Sequence, residues 1–305
     1  MPDPDLLVLT LAALAVLSPV AVLVRDRRRT VAPSTEAARA LRHATLPAAT
    51  AAAVLLLGLL AVATWIVLYE PYGSSFRPDG RALACMPLAA ALAFLLVHAV
   101  GELTYPRPTG DVRTAVLSTR TAQDVAPRRL RRATYVWAAG LGLLLLVGTL
   151  TASGPRHLDR WVDGWLSRGG PYPGTWYAVP LTIGTVVMLL VTWGVLHLIA
   201  TRPAVNGVDP AWDHALRCST GARVLRGVQL ALAITLGGML VVTMWGVQGA
   251  AREMPTLGPH TASPVLGMVG GALGVLAVAV CVAGVVLALP RGARRPTVAL
   301  TEARA

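Results

Sequence analysis

Seven stretches of this chain run for 19 to 26 residues without a single Asp, Glu or Arg: 6–24, 47–69, 82–101, 133–152, 177–200, 227–250 and 264–289. About 20 helical residues cross the hydrocarbon core of a bilayer. Backbone polar groups cannot face lipid unpaired, so each stretch must be helical. The expectation is an all-α integral membrane protein. It has one transmembrane domain over 1–305, a bundle of seven helices, and a short tail at 290–305. Composition agrees: 14% of the residues are charged, against about 25% in a soluble domain. No polar stretch is long enough for a large soluble enzyme domain.

The charges between the spans are unevenly divided. All the basic side chains are Arg. Segments 25–46, 102–132, 201–226 and 290–305 hold 21 of the 27, and the alternate segments hold the other 6. The positive-inside rule puts the first set in the cytoplasm, with the N-terminus outside and the C-terminus inside. The net charge of +12 is then a topology signal, and no nucleic-acid partner is expected. The expected partner is the lipid bilayer, with its anionic headgroups. Lysine is absent, and the Ala, Val, Leu and Gly load points to a high-GC bacterium and its plasma (inner) membrane. The acidic start Met1-Pro-Asp-Pro-Asp5 and the basic run Arg25-Asp-Arg-Arg-Arg29 after the first span reverse the order of a signal peptide. They predict a retained helix.

An R-x-L-R element recurs before three spans, at Arg39–Arg42, Arg128–Arg131 and Arg223–Arg226. Two spans also share an ending: His98 is followed by Arg107-Pro-Thr-Gly-Asp111, and His197 by Arg202-Pro and Asp209. These echoes predict three parallel two-helix repeats plus a seventh helix. The arginines Arg39, Arg42, Arg128, Arg131, Arg223 and Arg226 are expected to reach toward headgroups and set helix depth. Leu158, Trp161, Val162, Trp165 and Leu166 fall at i, i+3, i+4, i+7 and i+8, one face of a helix. A short interfacial helix anchored by Trp161 and Trp165 is expected over 157–166. In the last span, Gly267, Gly270, Gly271 and Gly274 form overlapping G-x-x-x-G pairs that allow close helix packing. Gly267, Gly271 and Gly274 also offer a route to an oligomer.

Candidates for chemistry are few. His98 and His197 stand at similar depth in equivalent positions, so two imidazoles could ligate a haem iron or a metal. Glu102 lies four residues after His98, on the same helix face. Asp209 and Asp213 have the spacing of carboxylates that hold Mg²⁺ against a diphosphate. Asp209 followed by Pro210 also reads as a helix start, Asp as cap and Pro at the first position. Cys85, Cys218 and Cys281 are isolated and form no disulfide or zinc pattern. No phosphate-binding loop, nucleophile elbow or H-E-x-x-H occurs. The functional expectation is a non-enzymatic membrane protein: permease-like, handling an apolar or neutral solute, or an accessory or scaffold for a membrane or cytosolic protein partner. No cofactor is expected on that reading. The alternative is a haem- or metal-binding redox protein using His98 and His197.

Overall fold

The computed structural model describes residues 34–69, 80–105, 120–205, 208–252 and 262–289. The span expected at 6–24, the tail expected at 290–305 and the Arg107–Asp111 copy of the repeat lie outside these residues. In chain order the elements are α1 (Thr35–Tyr69), α2 (Gly80–Leu103), the single turn α3 (Ala122–Val125), α4 (Arg128–Thr151), β1 (Leu158–Val162), β2 (Trp165–Gly169), α5 (Thr175–Thr201), α6 (Pro210–Ala251) and α7 (Pro264–Ala288). Six of the helices are long and apolar enough to cross a membrane. Their outer faces carry exposed Leu57, Leu96, Val136, Leu150, Leu190 and Val275, side chains suited to lipid rather than water. The protein is an all-α, multi-pass membrane bundle.

Two helices start earlier than the apolar runs suggest. The run at 47–69 extends back to Thr35, straight through Pro47. Ala37, Ala40, Ala44, Ala48, Ala51, Leu55 and Leu59 form one buried stripe at helical spacing, so the face that packs continues past the proline. The run at 227–250 extends back to Pro210. There Asp209 Oδ1 accepts from the Ala211 amide at 2.9 Å, and Pro210 fills the first position, whose N–H no carbonyl would receive.

The resulting 42-residue α6 is the axis of the bundle. Its apolar window is 67% buried, against 22–39% in the other five candidate spans. It touches α1, α2, α3, α4, α5, α7 and both strands. The helices equivalent to it in a three-fold repeat, α1 and α4, lie at the periphery. Gln229, fully buried on α6, donates from Nε2 to Leu130 O at 2.6 Å and to Thr134 Oγ1 at 3.1 Å, an interhelical polar clip to α4. On α7, a Cβ at Gly270 would stand 2.6 Å from Gln248 Cγ and one at Gly274 2.8 Å from Met244 Sδ. That glycine stripe is used internally against α6. Gly267 and Gly271 open on empty space instead.

The segment expected as an interfacial helix is a β-hairpin. Leu158–Val162 pairs antiparallel with Trp165–Gly169, with Val162 opposite Trp165. Asp163 (φ 50) and Gly164 (φ 81) form the turn. Two consecutive residues with positive φ make the tight hairpin turn that Asp-Gly favours. The local turn chemistry overrides the helical spacing of the apolar residues. Cross-strand partners share a face. One face carries Trp161 and Leu166 with the Asp159–Arg168 pair. The other carries Arg160 and Ser167, both of which donate to Ala250 O at the end of α6, at 2.7 and 3.3 Å.

Candidate functional site

α2 and α5 end on the side of the bundle where α1 and α6 begin. His43 on α1 bonds Gly101 O on α2 at 3.0 Å, and Arg217 on α6 reaches the end of α5. Helix ends are short of backbone partners. The last four carbonyls of a helix have none within it, and they carry the negative pole of its dipole. Arg217 answers this at α5. Its NH1 donates to Ile199 O, Ala200 O and Arg202 O at 3.1, 2.9 and 2.9 Å, and its NH2 to Pro203 O at 3.2 Å. Its Nε donates to Asp213 Oδ2 at 2.8 Å, one helical turn earlier on α6. Arg120 NH1 joins the same oxygen at 3.3 Å. Arg217 is 0% exposed, and each of its nitrogens has an acceptor.

Arg202, just past the end of α5, is the opposite case. Its side chain is 1% exposed. Its guanidinium carbon lies 4.8 Å from the centre of the Tyr105 ring, a cation–π contact. NH1 is 3.7 Å from Glu102 Oε2, close enough for charge attraction but beyond a hydrogen bond. None of its three nitrogens has a hydrogen-bond partner among the described residues. Glu102 Oε2, Tyr105 OH, His98 Nε2 and Asp213 Oδ1 are also buried without a partner there. Burial pushes the Tyr105 phenol above its usual pKa, with the Arg202 charge pulling the other way. Ala40, Ala44, Tyr105 and Leu216 make a small apolar cluster beside these groups.

The sequence-derived candidates fall in different places. His98 is buried and meets Phe94 edge-on at 4.7 Å. His197 is exposed on α5, so the two imidazoles do not share a buried site. Glu102 belongs to the ionic cluster. Asp209 and Asp213 do not act as a pair: Asp209 caps α6, and Asp213 is held by Arg217 and Arg120. Among the described residues no three His, Cys, Asp or Glu side chains gather as a metal site. Arg39 is exposed and pairs with Glu36 at 3.1 Å. Arg42 and Arg128 are exposed, while Arg131 and Arg226 are half-buried. Arg223 lies inside α6 and bonds Ala44 O and Ser219 Oγ, each at 3.4 Å. Trp161 and Trp165 are exposed on the hairpin.

Arg120, Tyr105, Arg202 and Arg217 are the site residues that sequence reasoning passes over. For Arg217 a signal exists: a helix begun at Asp209-Pro210 puts Asp213 and Arg217 one turn apart on one face. For Arg202 and Tyr105 no local pattern does so, because their meeting depends on how α2 and α5 end. No protein-family model matches the sequence, and no curated protein and no solved structure matches it either.

Proposed function

We propose that this chain is a non-enzymatic membrane protein of the permease-like or accessory kind, with the ionic cluster as its ligand-handling site on the cytoplasmic face of the plasma membrane. The observation that carries the reading is Arg202: a buried cation, fixed against an aromatic ring, whose guanidinium has no hydrogen-bond acceptor among the described residues. Buried polar groups in folded proteins are almost always satisfied, and charged ones near a membrane are costly. A group left open at such cost has a task beyond holding the fold. The cluster favours a polar ligand over an apolar solute.

The arginine distribution supports the cytoplasmic side. On this reading the R-x-L-R elements set helix depth, and the parallel repeat is the origin of the shared His/Arg-Pro endings. The open glycines Gly267 and Gly271 are the face through which two copies would associate. Nothing in the placement of His98 and His197 favours the haem or metal alternative.

Thr104 is exposed at the end of α2, beside the cluster. In a chain whose three cysteines are replaced by Ala, Thr104→Cys should react with a membrane-impermeant maleimide in inside-out vesicles and stay unlabelled in intact cells. Labelling in intact cells alone would put the cluster on the outer face and overturn the cytoplasmic reading.

A further inference from the structure

The reading above leaves the ligand unnamed, and the cluster's own chemistry narrows it; this step rests on that reading for the existence of the site, not for its side of the membrane. We propose that Arg202 and Tyr105 receive a singly charged phosphate group. A guanidinium presents five N–H donors in a planar fork that fits two oxygens of an oxyanion at once, and none of the Arg202 nitrogens meets an acceptor among the described residues. The phenol of Tyr105, whose ring lies under the guanidinium, adds a further donor with no partner among the described residues. Tetrahedral phosphate can offer two oxygens to the fork and another to the phenol; a carboxylate has no third oxygen.

Charge supports one negative unit. Arg120, Arg202 and Arg217 face Glu102 and Asp213, which leaves one positive charge uncompensated among these five groups. Arg202 pairs with Glu102 alone, while Arg120 and Arg217 share Asp213, so the surplus belongs to the cluster as a whole and the donors open to an anion are those of Arg202. The carboxylate oxygens without donors, Glu102 Oε2 and Asp213 Oδ1, would accept from the O–H of a protonated phosphate or from a hydroxyl of a lipid headgroup. The cluster sits where α2 and α5 end, and basic pockets between transmembrane helices at that level hold lipid phosphates. The phosphate group therefore has two sources, a free anion or a phospholipid headgroup, with the same recognition chemistry.

The test uses the full chain, delipidated in mild detergent, with its thermal midpoint followed at constant ionic strength. The two probes are inorganic phosphate and micelles doped with phosphatidylglycerol; chloride and phosphatidylcholine are the controls. A saturable rise in midpoint is expected with at least one probe and with neither control. A response to inorganic phosphate alone assigns a free anion, and a response to phosphatidylglycerol alone assigns a headgroup. Arg202→Gln should weaken the apparent affinity tenfold or more, Arg202→Lys less, and Tyr105→Phe several-fold. No saturable rise with either probe, or an unchanged affinity in Arg202→Gln, overturns the proposal. If Arg202→Gln does not fold, Tyr105→Phe decides, and wild-type affinity there overturns it. Because both sides are open in detergent, an unexpected labelling side for Thr104→Cys leaves this result intact.

Discussion

The two ends of α6 pose the same problem and answer it differently. At its N-terminal end Arg217 caps α5 from inside the protein, in a cluster where charge is sealed from solvent. At its C-terminal end Arg160, carried by the hairpin, caps Ala250 O, and the neighbouring Asp159–Arg168 pair lies at the surface, with the Arg168 side chain 55% exposed. In both cases an arginine meets orphan carbonyls at a helix C-terminus, where the dipole favours a cation. The difference is what surrounds it. A sealed charge that loses its partner has nothing to replace it, whereas a charge at the surface finds water. The buried end should therefore be brittle and the hairpin end tolerant.

The largest expected effect is at Arg217. Arg217→Leu strands four backbone carbonyls and leaves Asp213 with Arg120 alone, and breaking a buried pair costs about 3–5 kcal/mol. The loss should appear as a marked fall in unfolding midpoint in detergent. The double variant Asp213→Leu/Arg217→Leu should lose less than Arg217→Leu alone, because no buried carboxylate is left half-paired and Arg120, with a side chain 26% exposed, can turn to water. If the single and double variants fall equally, the carbonyl cap and not the ion pair holds this end together.

Arg160→Ala tests the other end. It removes a half-buried cap, but Ala250 O keeps the Ser167 hydroxyl, and the loss should be about 1 kcal/mol. An effect as large as that of Arg217→Leu would erase the contrast between the ends.

The smallest effect is the acid response of the hairpin. The Arg168 hydrogen bond holds the Asp159 carboxyl below its ordinary value of 3.8. A carboxyl lowered in the folded state stabilises it above the ordinary value, and that contribution fades as pH falls through the lower, folded one. Hairpin amides, corrected for intrinsic exchange, should lose a little protection below about pH 4, and Asp159→Asn should abolish the change. Equal loss in wild type and Asp159→Asn would assign the acid response to another group.

The same contrast explains what was legible in the sequence. The spans are legible because lipid imposes a long, charge-free run on every crossing helix, and α2, α4, α5 and α7 lie where those runs fall. The hairpin was misread because Leu158, Trp161, Val162, Trp165 and Leu166 satisfy helical spacing, yet Asp163-Gly164 settles the local conformation through backbone sterics. The ionic cluster was only half legible. Glu102 stands out as an acid at a span end and Asp213 by its spacing from Asp209, and Asp209-Pro210 announces the start of α6. Taking α6 to begin at the apolar run hid Arg217 in an apparent loop. Arg202 is marked only as part of the shared Arg-Pro ending and Tyr105 not at all, since they meet only when the ends of α2 and α5 are brought side by side.

The central claim is that Arg202 and Glu102 are kept for a site and not for the fold. The most direct test is the thermal midpoint of Glu102→Leu/Arg202→Leu against wild type in the same detergent. Arg202 has no side-chain hydrogen bond among the described residues to lose, and apolar replacement of a buried ion pair is often neutral or stabilising. The account predicts a midpoint at or above that of wild type. A fall comparable to that of Arg217→Leu would contradict it and make the pair part of the scaffold.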